Sequence, residues 1–241
     1  MSIAILLVVL GAFACFEVAW IAWCGERVAR PNIGQQAQTI GAGSPLTYVV
    51  LGDSTAVAQG GDYHLGYAMA LAAYLGIEHR VTWANVAVSG ARATDVATKQ
   101  APQAAAYKPD LALIAVGAND VTHLTNIGAA RQSLRSTIAQ LRKANPSVRI
   151  VLTGSPDMGA VPRLPQPLRW FAGRRTTSFN VMVKQLSAQQ HVTFAPIAEK
   201  TGSTFRAHPG LFAADRFHPT TGGYNLWTPV LVRAVDEALA H

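Results

Sequence analysis

Four short polar clusters in this chain combine the residue types that nucleophilic attack on a carbonyl needs. They are Gly52-Asp53-Ser54-Thr55, Ser89-Gly90, Gly117-Ala118-Asn119-Asp120 and Asp215-Arg216-Phe217-His218-Pro219. A serine hydroxyl is a poor nucleophile at neutral pH; it needs a neighbouring base, and the base needs a third group to set its tautomer and steady its positive charge. Ser54, His218 and Asp215 can fill these roles, and Asp215 and His218, three positions apart in one loop, are close enough to touch. The oxyanion that forms on attack needs donors aimed at it. Candidates are the Ser54 N–H, the Gly90 N–H, which no side chain obstructs, and the Asn119 amide, which donates where a carboxylate cannot. His208-Pro209 repeats the His-Pro setting, but Phe205 stands where the acid should be, so His208 is the weaker base. The other histidines, His64, His79, His123, His191 and His241, show no zinc-ligand spacing, and neither a metal nor a cofactor is expected.

Each of these residues also has a plainer use. Ser54 can cap a helix, Gly90 can shape a turn, Asn119 or Asp120 can cap a helix, and the Asp215–Pro219 segment can be an ordinary loop. Position argues for chemistry instead. Runs rich in β-branched residues at 47–51, 81–87, 111–116, 148–153 and 191–195 alternate with segments of helical period at 65–75, 94–106, 127–144, 177–189 and 222–239. That alternation predicts an α/β domain with a five-stranded parallel sheet covered on both faces. Ligands of such sheets bind beyond the carboxyl ends of the strands. The first three clusters directly follow the first three strands, and the fourth precedes the last helix.

The chain has 241 residues, half of them apolar, enough for one core without disulfides or metals. Its net charge of +7 suits anionic surfaces, but no basic run interleaved with aromatics points to nucleic acid. Residues 3–24 are apolar except for Glu17, long enough to cross a bilayer, and Trp20 and Trp23 suit the interfacial belt. The division expected is a membrane anchor over 1–25, a breaker-rich linker over 26–45 and a catalytic domain over 46–241. Arg27 and Arg30 favour a cytoplasmic domain, a bias too small to fix the side of the membrane. Both cysteines, Cys15 and Cys24, lie in the anchor, so the domain has no thiol for catalysis. A loop is expected over 162–175, where three prolines and four arginines flank Trp170 and Phe171, suited either to substrate or membrane contact or to plain solvation.

By chance, Gly-Asp-Ser occurs in roughly one chain of this length in twenty. The four clusters in order resemble the blocks of the GDSL, or SGNH, hydrolase family over about residues 46–240, with Thr55 in place of the usual leucine. The resemblance implies a flavodoxin-like three-layer α/β/α sandwich and hydrolysis of esters, thioesters or acyl groups on lipids, carbohydrates or small molecules. It places the nucleophile at Ser54, the base at His218, the acid at Asp215 and the oxyanion hole at Ser54, Gly90 and Asn119. An acyltransferase using the same triad fits these residues equally. A membrane-held binding module without activity fits less well, because every expected catalytic residue is present.

Overall fold

The computed structural model describes residues 25–31 and 37–240, with Cys15, Phe16, Ala19, Trp20 and Trp23. Most of the expected anchor lies outside the described residues, and among those described no helix is long and apolar enough to cross a membrane. The strands are β1 (Gln38–Ile40), β2 (Ser44–Gly52), β3 (His79–Asn85), β4 (Leu111–Ala115), β5 (Arg149–Leu152) and β6 (Thr193–Phe194). They form one sheet in the order β1-β3-β2-β4-β5-β6. Strands β2 to β6 are parallel, and their spatial order, 2-1-3-4-5 when counted along the chain, is that of a doubly wound sheet.

Because the central strands are buried on both faces, they read as unbroken apolar runs. The pleat then sorts neighbours to opposite sides. Tyr48, Val50, Leu111 and Leu113 face one core, and Val49, Leu51, Ala112 and Ile114 face the other. The helices are α1 (Tyr67–Leu75), α2 (93–106, with a π-helical turn at Val96–Gln100), α3 (Ala118–Thr122), α4 (Ile127–Ala144), α5 (Leu168–Gln190), α6 (Ile197–Ala207) and α7 (Thr221–Leu239). The first core packs against α1, α6 and α7, and the second against α2, α4 and α5, which makes three layers. Helix α4 shows the logic: Ala130, Leu134, Ile138 and Leu141 share one buried face, and the Asn126 side chain caps the start by accepting from the Ala129 N–H at 3.1 Å.

Three expectations are corrected. The sheet has six strands and is mixed, because β1 pairs antiparallel with the outer edge of β3. β1 is three residues long, too short for a hydrophobic period, and lies with the start of β2 in the stretch read as linker. It forms because the chain reverses at Gly41, in the left-handed region at φ +79°, where a Cβ would sit 2.2 Å from the His79 carbonyl oxygen. Second, α5 starts at Leu168 and takes in half of the expected arginine-rich loop. Its orphan first-turn donors are met in part by Gln166 Oε1, which accepts from the Trp170 N–H at 3.1 Å. Third, α6 was not anticipated, since Gly202 and several polar residues mask its Ile197, Thr201, Phe205 face.

Gly41→Ala should therefore destabilise the domain by about 1–3 kcal/mol, through strain in a left-handed residue and the close approach to His79. Urea unfolding would show a lower midpoint; an unchanged midpoint would mean that the β1 reversal does not hold the edge of the sheet.

Candidate active site

The site begins where β2 stops. The buried Gln100 side chain clamps Gly52 in both directions, accepting from its N–H at 2.8 Å and donating to its carbonyl at 2.9 Å. The π-helical turn of α2 ends on this glutamine, and such wide turns cluster at functional positions. A Cβ on Gly52 would lie 2.2 Å from the Ala115 carbonyl oxygen, so only glycine lets the ends of β2 and β4 approach. The chain then turns: Asp53 N–H donates to Ala115 O at 3.1 Å, while Asp53 Oδ1 accepts from Thr55 N–H at 2.9 Å and Thr55 Oγ at 2.8 Å. Ser54 at the apex directs its hydroxyl to the rim. Burial pushes the Asp53 carboxyl up to about 6, against the lowering effect of its two bonds from Thr55.

His218 Nε2 lies 2.9 Å from Ser54 Oγ across 164 positions of sequence, and His218 Nδ1 lies 2.5 Å from Asp215 Oδ2. The other carboxylate oxygen, Oδ1, accepts from the backbone N–H groups of Phe217 and His218, both at 2.9 Å. Burial raises the Asp215 carboxyl, but these three hydrogen bonds and the charge of His218 outweigh it and hold the group below the ordinary aspartate value. An ionised Asp215 accepting from Nδ1–H leaves Nε2 free to take the serine proton. By contrast His208 is exposed, and among the described residues its ring has no hydrogen-bond partner.

The three proposed oxyanion donors come from the turns after β2, β3 and β4. Among the described residues neither the Ser54 N–H nor the Gly90 N–H has an internal acceptor. Asn119 Nδ2 donates to Ala91 O at 3.0 Å, which occupies one amide hydrogen and leaves the second. That bond, with Ala93 N–H donating to Asp120 Oδ2 at 3.0 Å, joins the Gly90 turn to α3. Backbone conformation gives a further reason for glycine at position 90. A Cβ there would meet no protein atom within 4 Å, but φ is +87°, a conformation that favours glycine. No hydrogen bond links Gly90 or Asn119 directly to the triad among the described residues.

Gln100 and Asn85 escaped the sequence reading. Asn85 Nδ2 donates to Ala56 O at 2.8 Å, tying the end of β3 to the turn of Ser54. A lone buried amide carries no spacing signal by which to find it. Glu26, in the stretch read as linker, lies against the acid loop: its N–H donates to Ala214 O at 3.0 Å. In the arginine-rich segment, Trp170 is 62% exposed with the Arg174 guanidinium 5.7 Å from its ring. Arg169, however, is spent on the carbonyls of Pro162 and Leu164.

The sequence profile of the GDSL-like lipase/acylhydrolase family matches residues 50–226. A GDSL-like esterase of Mycobacterium tuberculosis is 36% identical over 134 residues, which are 54% of this chain and 41% of the relative. The match thus spans about two fifths of that relative's length. A catalytic mutant of the acetylxylan esterase Axe2 from Geobacillus stearothermophilus superposes with a TM-score of 0.60 at 21% identity, over 81% of this chain and 96% of its own. Phospholipase A1 from Streptomyces albidoflavus gives 0.59 at 20% identity, over 78% and 99%. At these identities the solved structures establish the shared fold.

The raised Asp53 carboxyl has a consequence for stability. Between the ordinary aspartate value of 3.8 and the folded value of about 6, the folded chain binds the proton more tightly than the unfolded one. Stability from this group therefore falls as pH rises through that window and levels off above it, by about 3 kcal/mol in all. Asp53→Asn should lack this decline, so its stability relative to the wild type should improve between pH 4 and pH 7 in denaturant unfolding. A pH-independent difference would place the Asp53 carboxyl at its ordinary value.

Proposed function

Since the chain belongs to the GDSL-like lipase/acylhydrolase family, we propose that it is a serine ester hydrolase that works through an acyl-enzyme on Ser54. The observation that carries this reading is the unbroken chain of hydrogen bonds from Ser54 Oγ through His218 to Asp215. In the first half-reaction Ser54 Oγ bonds to the ester carbonyl carbon as its proton passes to His218 Nε2. Asp215 stays ionised and steadies the imidazolium. The N–H groups of Ser54 and Gly90 and the Asn119 amide receive the oxyanion. The carbon–oxygen bond to the alcohol then breaks, and His218 protonates the departing oxygen. Water, deprotonated by His218, repeats the sequence on the acyl-enzyme and returns Ser54 to its free form.

Ester substrates also agree with the similarity to a GDSL-like esterase and with the names of the acetylxylan esterase and the phospholipase that share the fold. We extend the proposal to location: the apolar run over 3–24 holds the domain at a membrane as a single-pass anchor. The exposure of Phe16, Trp20 and Trp23 within this run supports this, since a membrane-embedded segment presents apolar rings outward.

A fluorophosphonate should label Ser54, and Ser54→Ala should lower ester hydrolysis by roughly 10⁴-fold or more. His218→Ala should fall nearly as far, while His208→Ala should stay within about tenfold of wild type. Asn119→Ala should lower kcat by roughly 10²–10³-fold with little change in KM. Labelling elsewhere, or greater damage from His208→Ala, would refute the triad; an effect of Asn119→Ala on KM alone would remove it from the oxyanion hole.

Location has its own measurement. Full-length protein should stay with membranes through alkaline carbonate, and complete release would rule out a spanning anchor.

A further inference from the structure

Ser54 and His218 border a partly enclosed cavity of about 30 Å³, walled mostly by apolar side chains that include Met158, Val161, Phe205 and Phe212. By this measure of volume one water needs roughly 10–15 Å³, so the space suits about two or three non-hydrogen atoms. A wider cleft of about 500 Å³, bordered by Trp170, Arg174 and Asn180, lies next to it. Of the residues lining these two spaces only Asp157 is common to both. It stands as the partition between a small apolar chamber at the nucleophile and a large cleft beyond.

The partition is held on three sides. Asp157 Oδ1 accepts from the Gly159 N–H at 3.0 Å, and Oδ2 accepts from the Arg206 guanidinium. Behind it Gly202 packs so closely that a Cβ there would come within 2.7 Å of Oδ2. The Asp157 side chain is only 11% exposed. Pushing it aside would strip a nearly buried carboxylate of its cation, a costly change. An acyl chain longer than the chamber would have to do that.

We propose that the Asp157–Arg206 pair is the stop of the acyl pocket and restricts Ser54 to short acyl groups, acetyl or propionyl. The inference rests on the hydrolase reading above and adds the substrate class. Arg206 is a positioning residue, since it acts by holding Asp157, which itself meets the end of the acyl chain. Loss of either partner opens the chamber toward the cleft.

The test compares kcat/KM for the nitrophenyl esters of acetate, propionate and octanoate in full-length wild type, Asp157→Ala and Arg206→Ala. Wild type should disfavour octanoate by about tenfold or more, the scale on which misfit in an apolar pocket discriminates. Asp157→Ala should raise the octanoate-to-acetate ratio by about tenfold, and Arg206→Ala should raise it by less. Arg206 is exposed, so that variant carries the test if Asp157→Ala fails to fold. A wild type that takes octanoate as well as acetate, or variants with an unmoved ratio, would overturn the stop. In either case fluorophosphonate labelling of Ser54 would show the hydrolase reading intact. Absence of both labelling and ester turnover would overturn that reading, and the stop with it.

Discussion

Everything at the site depends on the parallel pairing of β2 with β3 on one side and β4 on the other. Three neighbouring strands that run the same way end at the same edge, so the turns after them converge on one crevice. Each turn contributes one part: Ser54 after β2, Gly90 after β3, Asn119 after β4. The ends must approach closely without pairing off the groups that face the crevice. Gly52 allows the first condition, since a side chain there would strike Ala115 O. Gln100 meets the second by satisfying the last donor and acceptor of β2 from the flank, after which the Ser54 N–H has no acceptor among the described residues.

Two aspartates at this edge show how surroundings divide one chemical group into two uses. Asp53 is fully buried with two bonds from Thr55, and desolvation prevails. Asp215 is also buried, but bonds from the His218 ring and two backbone N–H groups prevail instead. The first shapes the turn that presents the serine, and the second can stay charged beside a histidine that gains a proton. Burial penalises the charge in both, and the number of hydrogen bonds that offset it differs.

The far walls around the crevice come from outside the sheet edge. The turn at Met158–Ala160 and helix α6 meet across Asp157, Gly202 and Arg206, and together they enclose the space beside Ser54. Glycines at 159 and 173 bring α5 against that same turn, with a Cβ on Gly159 only 2.9 Å from the Gly173 Cα. The far walls of the pocket thus rest on elements that carry no catalytic residue, while its near walls are the catalytic turns themselves. Changes in the far walls can alter what fits without moving the serine.

The parallel strands, most helices and the four polar clusters were legible because their signals are local. An apolar run reports a buried strand, a period of three to four reports a helix face, and Asp215 reaches His218 within one loop. β1 was not legible, since a three-residue pairing exists only once the edge of β3 is there to receive it. Gln100, Asn85 and the Asp157–Arg206 pair were equally invisible: a buried amide or a distant ion pair leaves no periodicity. Gly90 was found for its residue type, but the positive φ that favours glycine came from the turn itself. The sequence alone determined which chemical groups are present and which kind of element carries each. Only the tertiary structure decided that Ser54 and His218, 164 positions apart, stand 2.9 Å from each other, because that distance follows from strand order and helix packing, which are properties of the whole core and of no single segment.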